Sequence, residues 1–200
     1  TSPEGVAVDG PAVLRPRGSR MPSSPNRVLT AAHDLGGVGL RDDAVHVPVV
    51  GVQHRTLLAF LSSGCLTCRT FWDALHDPRA VDDDVRVVIV TKDPAEESVS
   101  ELRRLAPDDV PVVMSGRAWA DYGVPGSPYF VLVDGPGERV LGEGTGMSWD
   151  QVRTLMQQAL TDANGGDARE ARIDRELLAN GIRPGDPSLY RTADRIARDG

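Results

Sequence analysis

Two short apolar segments in the middle of the chain predict buried β-strands. They cover residues 57–61 and 85–90, and only Arg86 interrupts them. Runs of this length without polar alternation are typical of strands that are covered on both faces. The segment between them has large apolar side chains at helical spacing, so we expect a helix that packs against the sheet. These side chains are Leu66, Phe71, Trp72 and Leu75.

A second helix is predicted after the second strand. Asp93, Pro94 and Glu96 occupy the positions of an N-cap, a first-turn proline and an N3 acid, which together favour a helix start. A short strand over residues 110–114 and a helical turn over residues 117–122 follow. The apolar residues that the second helix is expected to bury are Val99, Leu102 and Leu105.

A hairpin and a last helix complete the pattern. Strands over residues 129–133 and 139–141 flank Asp-Gly-Pro-Gly at 134–137, a sequence that favours a tight turn. Ser148 and Gln151 then form a capping box at the start of the last helix. The side chains expected on its buried face are Val152, Leu155, Met156, Ala159 and Leu160.

The order of these elements predicts an α/β fold with a central mixed sheet and helices on both faces. Alternating strands and helices give parallel strands with crossover helices, and the hairpin adds antiparallel strands. Upstream, Val45, Val47 and Val49 alternate with His46 and Pro48. This alternation predicts an N-terminal β-hairpin extension at an edge of the sheet.

Composition divides the chain into three parts. Residues 1–25 are rich in proline, glycine and serine and predict a flexible leader or tether. Residues 26–163 form the predicted domain. Residues 164–200 form a C-terminal tail, for which a short helix around Leu177 is the alternative to poor order.

Charge and hydropathy exclude several classes of function. The formal net charge is −7, from 22 basic and 29 acidic residues spread along the chain. Because there is no basic stripe, we expect no nucleic-acid partner. No apolar run reaches the roughly 18 residues of a membrane span. The chain starts at Thr1 rather than methionine, so we expect any signal peptide or membrane anchor to lie upstream of it.

The two cysteines are the strongest candidates for chemistry. A domain of this size needs no disulfide to hold its core, and Cys65 and Cys68 lie three positions apart between a buried strand and a helix. Positions i and i+3 share one helix face, so the two sulfurs can come within bonding distance. Cys65 would lie at the helix N-terminus, where the helix dipole stabilises a thiolate. We therefore expect Cys65 to attack a substrate disulfide and Cys68 to resolve the mixed disulfide.

A C-x-x-C motif alone also fits half of a zinc site or two incidental buried thiols. Zinc needs two more ligands, and the histidines show no paired spacing. We expect them to be surface or packing residues, so neither a metal nor a dissociable cofactor is predicted. The histidines are His33, His46, His54 and His76.

The loop before the hairpin is a second candidate feature. Residues 123–129 read Gly-Val-Pro-Gly-Ser-Pro-Tyr. A proline can begin a strand after a turn, since its missing N–H is not needed there. Alternatively, a cis Ser127–Pro128 bond would bring the loop beside the dithiol and expose backbone groups for a substrate strand, which makes Ser127 and Pro128 candidate substrate-binding residues. About 5–6% of X-Pro bonds are cis, so the sequence alone does not decide this point.

Together, the apolar strand, the C-x-x-C motif, the following helix, the loop that ends in Pro128 and a distal glycine (Gly144 or Gly146) resemble the thioredoxin superfamily. Within it, the chain is most similar to the TlpA/ResA/MauD group of extracytoplasmic, usually membrane-anchored oxidoreductases. The resemblance covers roughly residues 28–160. It implies a thioredoxin fold in which Cys65 is the nucleophile, Cys68 is the resolving thiol and Pro128 is the cis-proline.

Three departures from the thioredoxin pattern bear on activity. Gly64 replaces the usual tryptophan before the first cysteine, and Leu66-Thr67 replaces glycine-proline between the cysteines. Ala59 stands six positions before Cys65, where a buried acid would help to deprotonate the resolving thiol. These departures affect the expected direction and speed of thiol exchange, not the expected fold.

The leading prediction is a protein thiol-disulfide oxidoreductase that acts on client proteins outside the cytoplasm. Its partners would be a protein with a disulfide or dithiol and an upstream thiol donor or acceptor of electrons, with the membrane involved only through an anchor outside this chain. One alternative is a redox-inactive or weakly active binding or maturation factor. A thiol peroxidase is another, because Ser62 precedes Cys65 by three positions as in peroxiredoxins, although the expected upstream proline is missing.

Overall fold

The computed structural model describes residues 31–77 and 85–183, so the predicted leader and the end of the predicted tail lie outside the described residues. Within these ranges, seven strands form one sheet and four helices pack on it. The strands are β1 (Leu35–Val38), β2 (Ala44–Val47), β3 (Arg55–Phe60), β4 (Val85–Thr91), β5 (Val112–Met114), β6 (Tyr129–Asp134) and β7 (Arg139–Gly144). The helices are α1 (Leu66–Ala74), α2 (Val99–Leu105), α3 (Gly116–Asp121) and α4 (Trp149–Ala179).

The sheet is mixed, with strand order β2-β1-β5-β4-β3-β6-β7. Strands β3, β4 and β5 run parallel, whereas the β6–β7 hairpin is antiparallel to β3 and the β1–β2 hairpin is antiparallel to β5. At the centre, Leu58 of β3 pairs with Val88 on one side and Val131 on the other. The predicted mixed sheet and its N-terminal hairpin extension are confirmed.

Strand β3 separates two hydrophobic cores. Leu57 and Ala59 face a core shared with α1, α2 and α4, while Leu58 and Phe60 face a core shared with α3. Side chains on a strand alternate between the two faces. Because helices cover both faces, every one of these residues is buried, which explains the unbroken apolar run in the sequence.

Helix α2 begins later than predicted. The chain forms a turn over residues 94–96, and the helix starts at Val99 with Ser98 as its N-cap. The Asp93 carboxylate does not cap this helix, because it accepts a hydrogen bond at 2.7 Å from the backbone N–H of Gly116 at the start of α3. The predicted helix start at Asp93 was therefore wrong, since a partner distant in sequence takes up the capping group.

Leu66 lies outside the buried face of α1, contrary to the prediction from helical spacing. Phe71, Trp72 and Leu75 are buried as expected, but Leu66 is 86% exposed. Five residues separate it from Phe71, which is about 140° around a helix with 3.6 residues per turn. This places an apolar side chain in solvent between the two cysteines.

Helix α4 is much longer than predicted. The hydroxyl of Ser148 caps its start as expected, yet the helix runs for 31 residues and passes through Gly165 and Gly166. Beyond residue 163 most of its residues are exposed, and Leu155, predicted to be buried, is 37% exposed. The helix ends where Gly181 adopts a φ of 77°. No helix in residues 31–77 and 85–183 combines the length and apolar character needed to cross a bilayer.

Candidate active site

Cys65 and Cys68 meet at the N-terminus of α1. Strand β3 ends at Phe60, a short loop follows, and Cys65 is the N-cap residue with extended backbone angles (φ −89°, ψ 114°). Its Sγ atom accepts a hydrogen bond of 3.2 Å from the backbone N–H of Cys68. Both cysteines are free thiols, and the strand-to-helix junction holds them together.

The two thiols differ in access to solvent. Cys65 is half-buried, whereas Cys68 is fully buried. Burial, followed by a hydrogen bond with Cys65, raises the pKa of the Cys68 thiol to about 12, against smaller lowering effects from the Ser62 backbone and the Ser127 side chain. Cys65 is therefore the more accessible of the two thiols, and the raised pKa of Cys68 favours its neutral form.

The loop before β6 lies directly beside the dithiol. The Ser127–Pro128 peptide bond is cis, and the Cys65 thiol donates a hydrogen bond of 3.7 Å to the Ser127 carbonyl. The Pro128 carbonyl in turn accepts a 2.8 Å hydrogen bond from the hydroxyl of Thr145, which follows β7. Thus all four residues singled out in the sequence come together, and Thr145 is a neighbour that the sequence reasoning missed.

Ala59 provides no proton acceptor for the Cys68 thiol. It lies on β3 between Ile89 and Phe130 and is fully buried in the same core as Cys68. An acidic side chain at this point would be buried in this core, whereas the alanine methyl group only adds to an apolar environment. The raised pKa of Cys68 agrees with this environment.

Ser63 and Glu97 are two further residues of the site that the sequence reasoning missed. Ser63 lies two positions before Cys65, and its backbone N–H and hydroxyl both donate to one carboxylate oxygen of Glu97, at 2.9 and 2.5 Å. The partners are 34 positions apart in the chain. No local pattern connects a serine before a helix with a glutamate after the next strand, so only the folded chain reveals the pair.

The described residues contain no group of three or more His, Cys, Asp or Glu side chains that could hold a metal ion. Three of the four histidines have other partners, and among them His33 packs its ring edge-to-face against Tyr122. His76 contacts the carbonyl oxygen of Leu105 at 3.2 Å, and His46 lies 3.8 Å from the carboxylate of Asp34.

No protein-family model matches the sequence, and no curated protein matches it. Similar solved structures include one from Chlorobium tepidum assigned as the thiol:disulfide interchange protein DsbE (TM-score 0.52, 23% identity, 66% of this chain and 96% of that one). A second is a secreted Mycobacterium tuberculosis disulfide oxidoreductase homologous to E. coli DsbE (TM-score 0.50, 18% identity, 62% of this chain and 95% of that one). A third is the exposed lipoprotein thioredoxin Etrx1 of Streptococcus pneumoniae (TM-score 0.50, 20% identity, 62% of this chain and 99% of that one). At these identities the likeness establishes the architecture, and the chain therefore has the thioredoxin fold.

Proposed function

We propose that this protein is a thiol-disulfide oxidoreductase that exchanges disulfides with client proteins through Cys65 and Cys68. The observation that carries the proposal is the pairing of a half-exposed thiol at a helix N-terminus with a fully buried thiol one turn later. A helix N-terminus favours the thiolate, which is the attacking species in thiol exchange. The structural neighbours that are thiol-disulfide enzymes support the same reaction class.

The reaction would proceed in two exchanges. The Cys65 thiolate attacks one sulfur of a client disulfide, forms a mixed disulfide and releases one client thiolate. Cys68 then loses its proton and attacks the Cys65 sulfur, which forms the Cys65–Cys68 disulfide and releases the second client thiolate. The client gains two electrons and the dithiol loses two, so a separate thiol donor must reduce the protein again. The reverse sequence would oxidise a client dithiol.

Ser127 and Pro128 are the proposed substrate-binding residues. The Ser127 carbonyl already contacts the Cys65 thiol, so a client strand that runs along this loop would have its disulfide beside the nucleophile. The Ser127 side chain also lowers the pKa of Cys68. Ser127 would therefore contact the client through its backbone and favour the Cys68 thiolate through its hydroxyl.

Trapping of the mixed disulfide tests this function. Cys68→Ser should accumulate a covalent complex with a disulfide-containing protein such as insulin, because Cys65 can attack but nothing resolves the product. Cys65→Ser should form no complex and should lose insulin reduction in the presence of dithiothreitol. Equal complex formation by both variants, or undiminished reduction by Cys65→Ser, would contradict the proposal.

A second candidate is a binding or maturation factor with little redox activity. The observation that favours it is the apolar environment of Cys68, where Ala59 provides no base and the pKa of the thiol is about 12. Slow resolution would suit a protein that holds a client rather than one that turns over. Partner binding that survives in a Cys65→Ser, Cys68→Ser double variant would favour this candidate over catalysis.

We also propose that the protein acts outside the cytoplasm. Support comes from the neighbours, among them a secreted oxidoreductase and an exposed lipoprotein. Disulfide exchange with clients also fits an oxidising compartment. The test is fractionation of cells that express the natural gene with a C-terminal tag. Recovery of the tagged protein only in the cytosol would contradict the location and leave the thiol chemistry intact.

A further inference from the structure

A buried serine and a carboxylate connect the dithiol loop to the next crossover of the fold. Ser63 is one of only four buried polar residues in the described parts of the chain. Its N–H and hydroxyl donate to one oxygen of Glu97, and its hydroxyl oxygen accepts a hydrogen bond of 3.2 Å from the N–H of Ser98. The loop before α1 and the N-cap of α2 are thus tied together at one point.

The other acidic residues of this region have different partners. Glu96 forms an ion pair with Lys92 at 3.0 Å, and Asp93 accepts from the N–H of Gly116. Glu101 pairs with Arg69 of α1. Glu97 therefore stands apart from these acids, because it bonds to the loop immediately before the nucleophile.

Resting on the function proposed above, we propose that Glu97 is a positioning residue for disulfide exchange. Its carboxylate accepts hydrogen bonds from Ser63 and so fixes the loop that leads to Cys65. This loop places the Cys65 Sγ atom at the N-terminus of α1, beside the backbone N–H of Cys68. Holding two reacting groups in the right geometry favours their reaction over competing ones. Closure of the Cys65–Cys68 disulfide is the step that this geometry favours.

Removing the carboxylate leaves two donors of Ser63 without their acceptor in a buried position, and such groups are costly to leave unpaired. The loop must then move to hydrate them. Cys65 loses its fixed position relative to Cys68, so the intramolecular disulfide becomes less favourable relative to the dithiol.

The experiment compares Glu97→Ala, Glu97→Gln and the matched control Glu96→Ala. Each protein is equilibrated with glutathione buffers, and the dithiol fraction is counted by alkylation and mass. Glu97→Ala should shift the equilibrium toward the dithiol by about fivefold and prolong the insulin mixed disulfide by a similar factor, as expected for one lost hydrogen-bonding partner. Glu97→Gln should restore both values to within about twofold, because its amide oxygen still accepts from Ser63.

The outcomes separate the inference from the function on which it rests. A wild-type protein with no reversible dithiol–disulfide transition would overturn the proposed function. A normal wild-type transition with Glu97→Ala indistinguishable from Glu96→Ala would overturn only the role of Glu97. Equal shifts in Glu97→Ala and Glu97→Gln would also overturn it, since charge rather than position would then be responsible. If Glu97→Ala does not fold, Ser63→Ala should give a smaller shift in the same direction, and no shift would again overturn the role.

Discussion

The Sγ atom of Cys65 accepts a 3.2 Å hydrogen bond from the backbone N–H of Cys68. One cysteine therefore caps the helix that carries the other. The cap residue is half-exposed, while Cys68 faces the core one turn into the helix. A single strand-to-helix junction thus creates an accessible thiol and a protected thiol from a four-residue motif, and several measurable differences follow from it.

The two thiols of the reduced protein should react with iodoacetamide at very different rates. Cys65 is accessible, whereas Cys68 is buried and has a pKa raised to about 12. Brief exposure at pH 8 followed by peptide mass analysis should show modification at Cys65 and essentially none at Cys68. In Cys65→Ala, Cys68 should remain unreactive at pH 8 in the folded state and react once urea unfolds the chain. Comparable labelling of both thiols at pH 8 would contradict the burial of Cys68.

The stability of the reduced protein should fall as the pH rises above about 9. The Cys68 thiol is neutral in the folded state up to its pKa of about 12, while an unfolded cysteine ionises near 8.5. The folded state therefore binds more protons than the unfolded state in this window. The contribution of Cys68 to the free energy of unfolding is fully present below the unfolded pKa and is lost as the pH rises toward 12. Between pH 8 and 10 the loss should be about 2 kcal/mol.

Urea unfolding of the reduced protein and of Cys68→Ala at pH 8, 9 and 10 measures this loss. Tyr122, whose pKa burial also raises to about 12, adds a loss of the same sign, but it is present in both proteins and cancels in the comparison. The difference in free energy of unfolding between the two proteins should shrink as the pH rises. A difference that stays constant would show that Cys68 ionises equally in both states.

Placing an acid at position 59 should speed the resolving step. Ala59 lies in the same buried core as Cys68, on the strand that leads into the dithiol. A carboxylate there can accept the Cys68 proton, so Ala59→Asp should shorten the lifetime of the insulin mixed disulfide at pH 7 by tenfold or more, on the order of a positioned general base. The free energy of unfolding should drop by roughly 1–3 kcal/mol, since the new group is buried. Ala59→Asn is the matched control, with similar destabilisation but no faster resolution; equal acceleration in both would exclude a general-base effect.

Local patterns in the sequence predicted the parts of the site made by neighbouring residues, whereas the position of Ser127 and Pro128 beside the dithiol was predicted with the help of the resemblance to the thioredoxin superfamily. Strand β3, the N-cap position of Cys65 and the turn to Cys68 lie within 14 consecutive positions, 55–68, so local patterns were sufficient. The start of α2 could not be predicted, because Asp93 bonds to Gly116 rather than to its own turn. The Ser63–Glu97 pair could not be predicted either, because the two residues meet only when the loop before α1 and the segment before α2 pack together in the folded chain.

The packing of α4 on the sheet should depend on the glycine at position 142. A Cβ atom at Gly142 of β7 would lie 2.6 Å from the Cβ of Ala159, closer than two such atoms can approach. Gly142→Ala should therefore cost about 1–3 kcal/mol of the free energy of unfolding in urea. Ala159→Gly in the same chain should recover part of that cost. Gly144→Ala is the matched control, because its nearest neighbour is the end of the Leu155 side chain at 3.4 Å; equal losses in both would exclude the steric explanation.

The distal half of α4 should become more stable when its internal glycines are replaced. The sequence predicted that a C-terminal tail begins at residue 164, and Asn164-Gly165-Gly166 is typical of a helix end. The helix nevertheless continues, and Arg139 of β7 binds both carboxylate oxygens of Asp167 at 2.8 and 2.9 Å. Neither glycine has a positive φ, and a Cβ atom at either position would meet open space. Each change to alanine should therefore add about 0.5–1 kcal/mol of helix stability, measured as slower amide hydrogen exchange over residues 168–179.

Gly181, whose φ is positive, provides the control for these two changes. Gly181 has a φ of 77°, and its N–H donates to the carbonyl of Leu178 while the N–H of Ile182 donates to the carbonyl of Leu177. This is the left-handed cap at which the helix ends, so Gly181→Ala should be destabilising by about 1 kcal/mol and should speed exchange in the same segment. Faster exchange in Gly165→Ala or Gly166→Ala would mean that the helix breaks in solution at the point the sequence predicted.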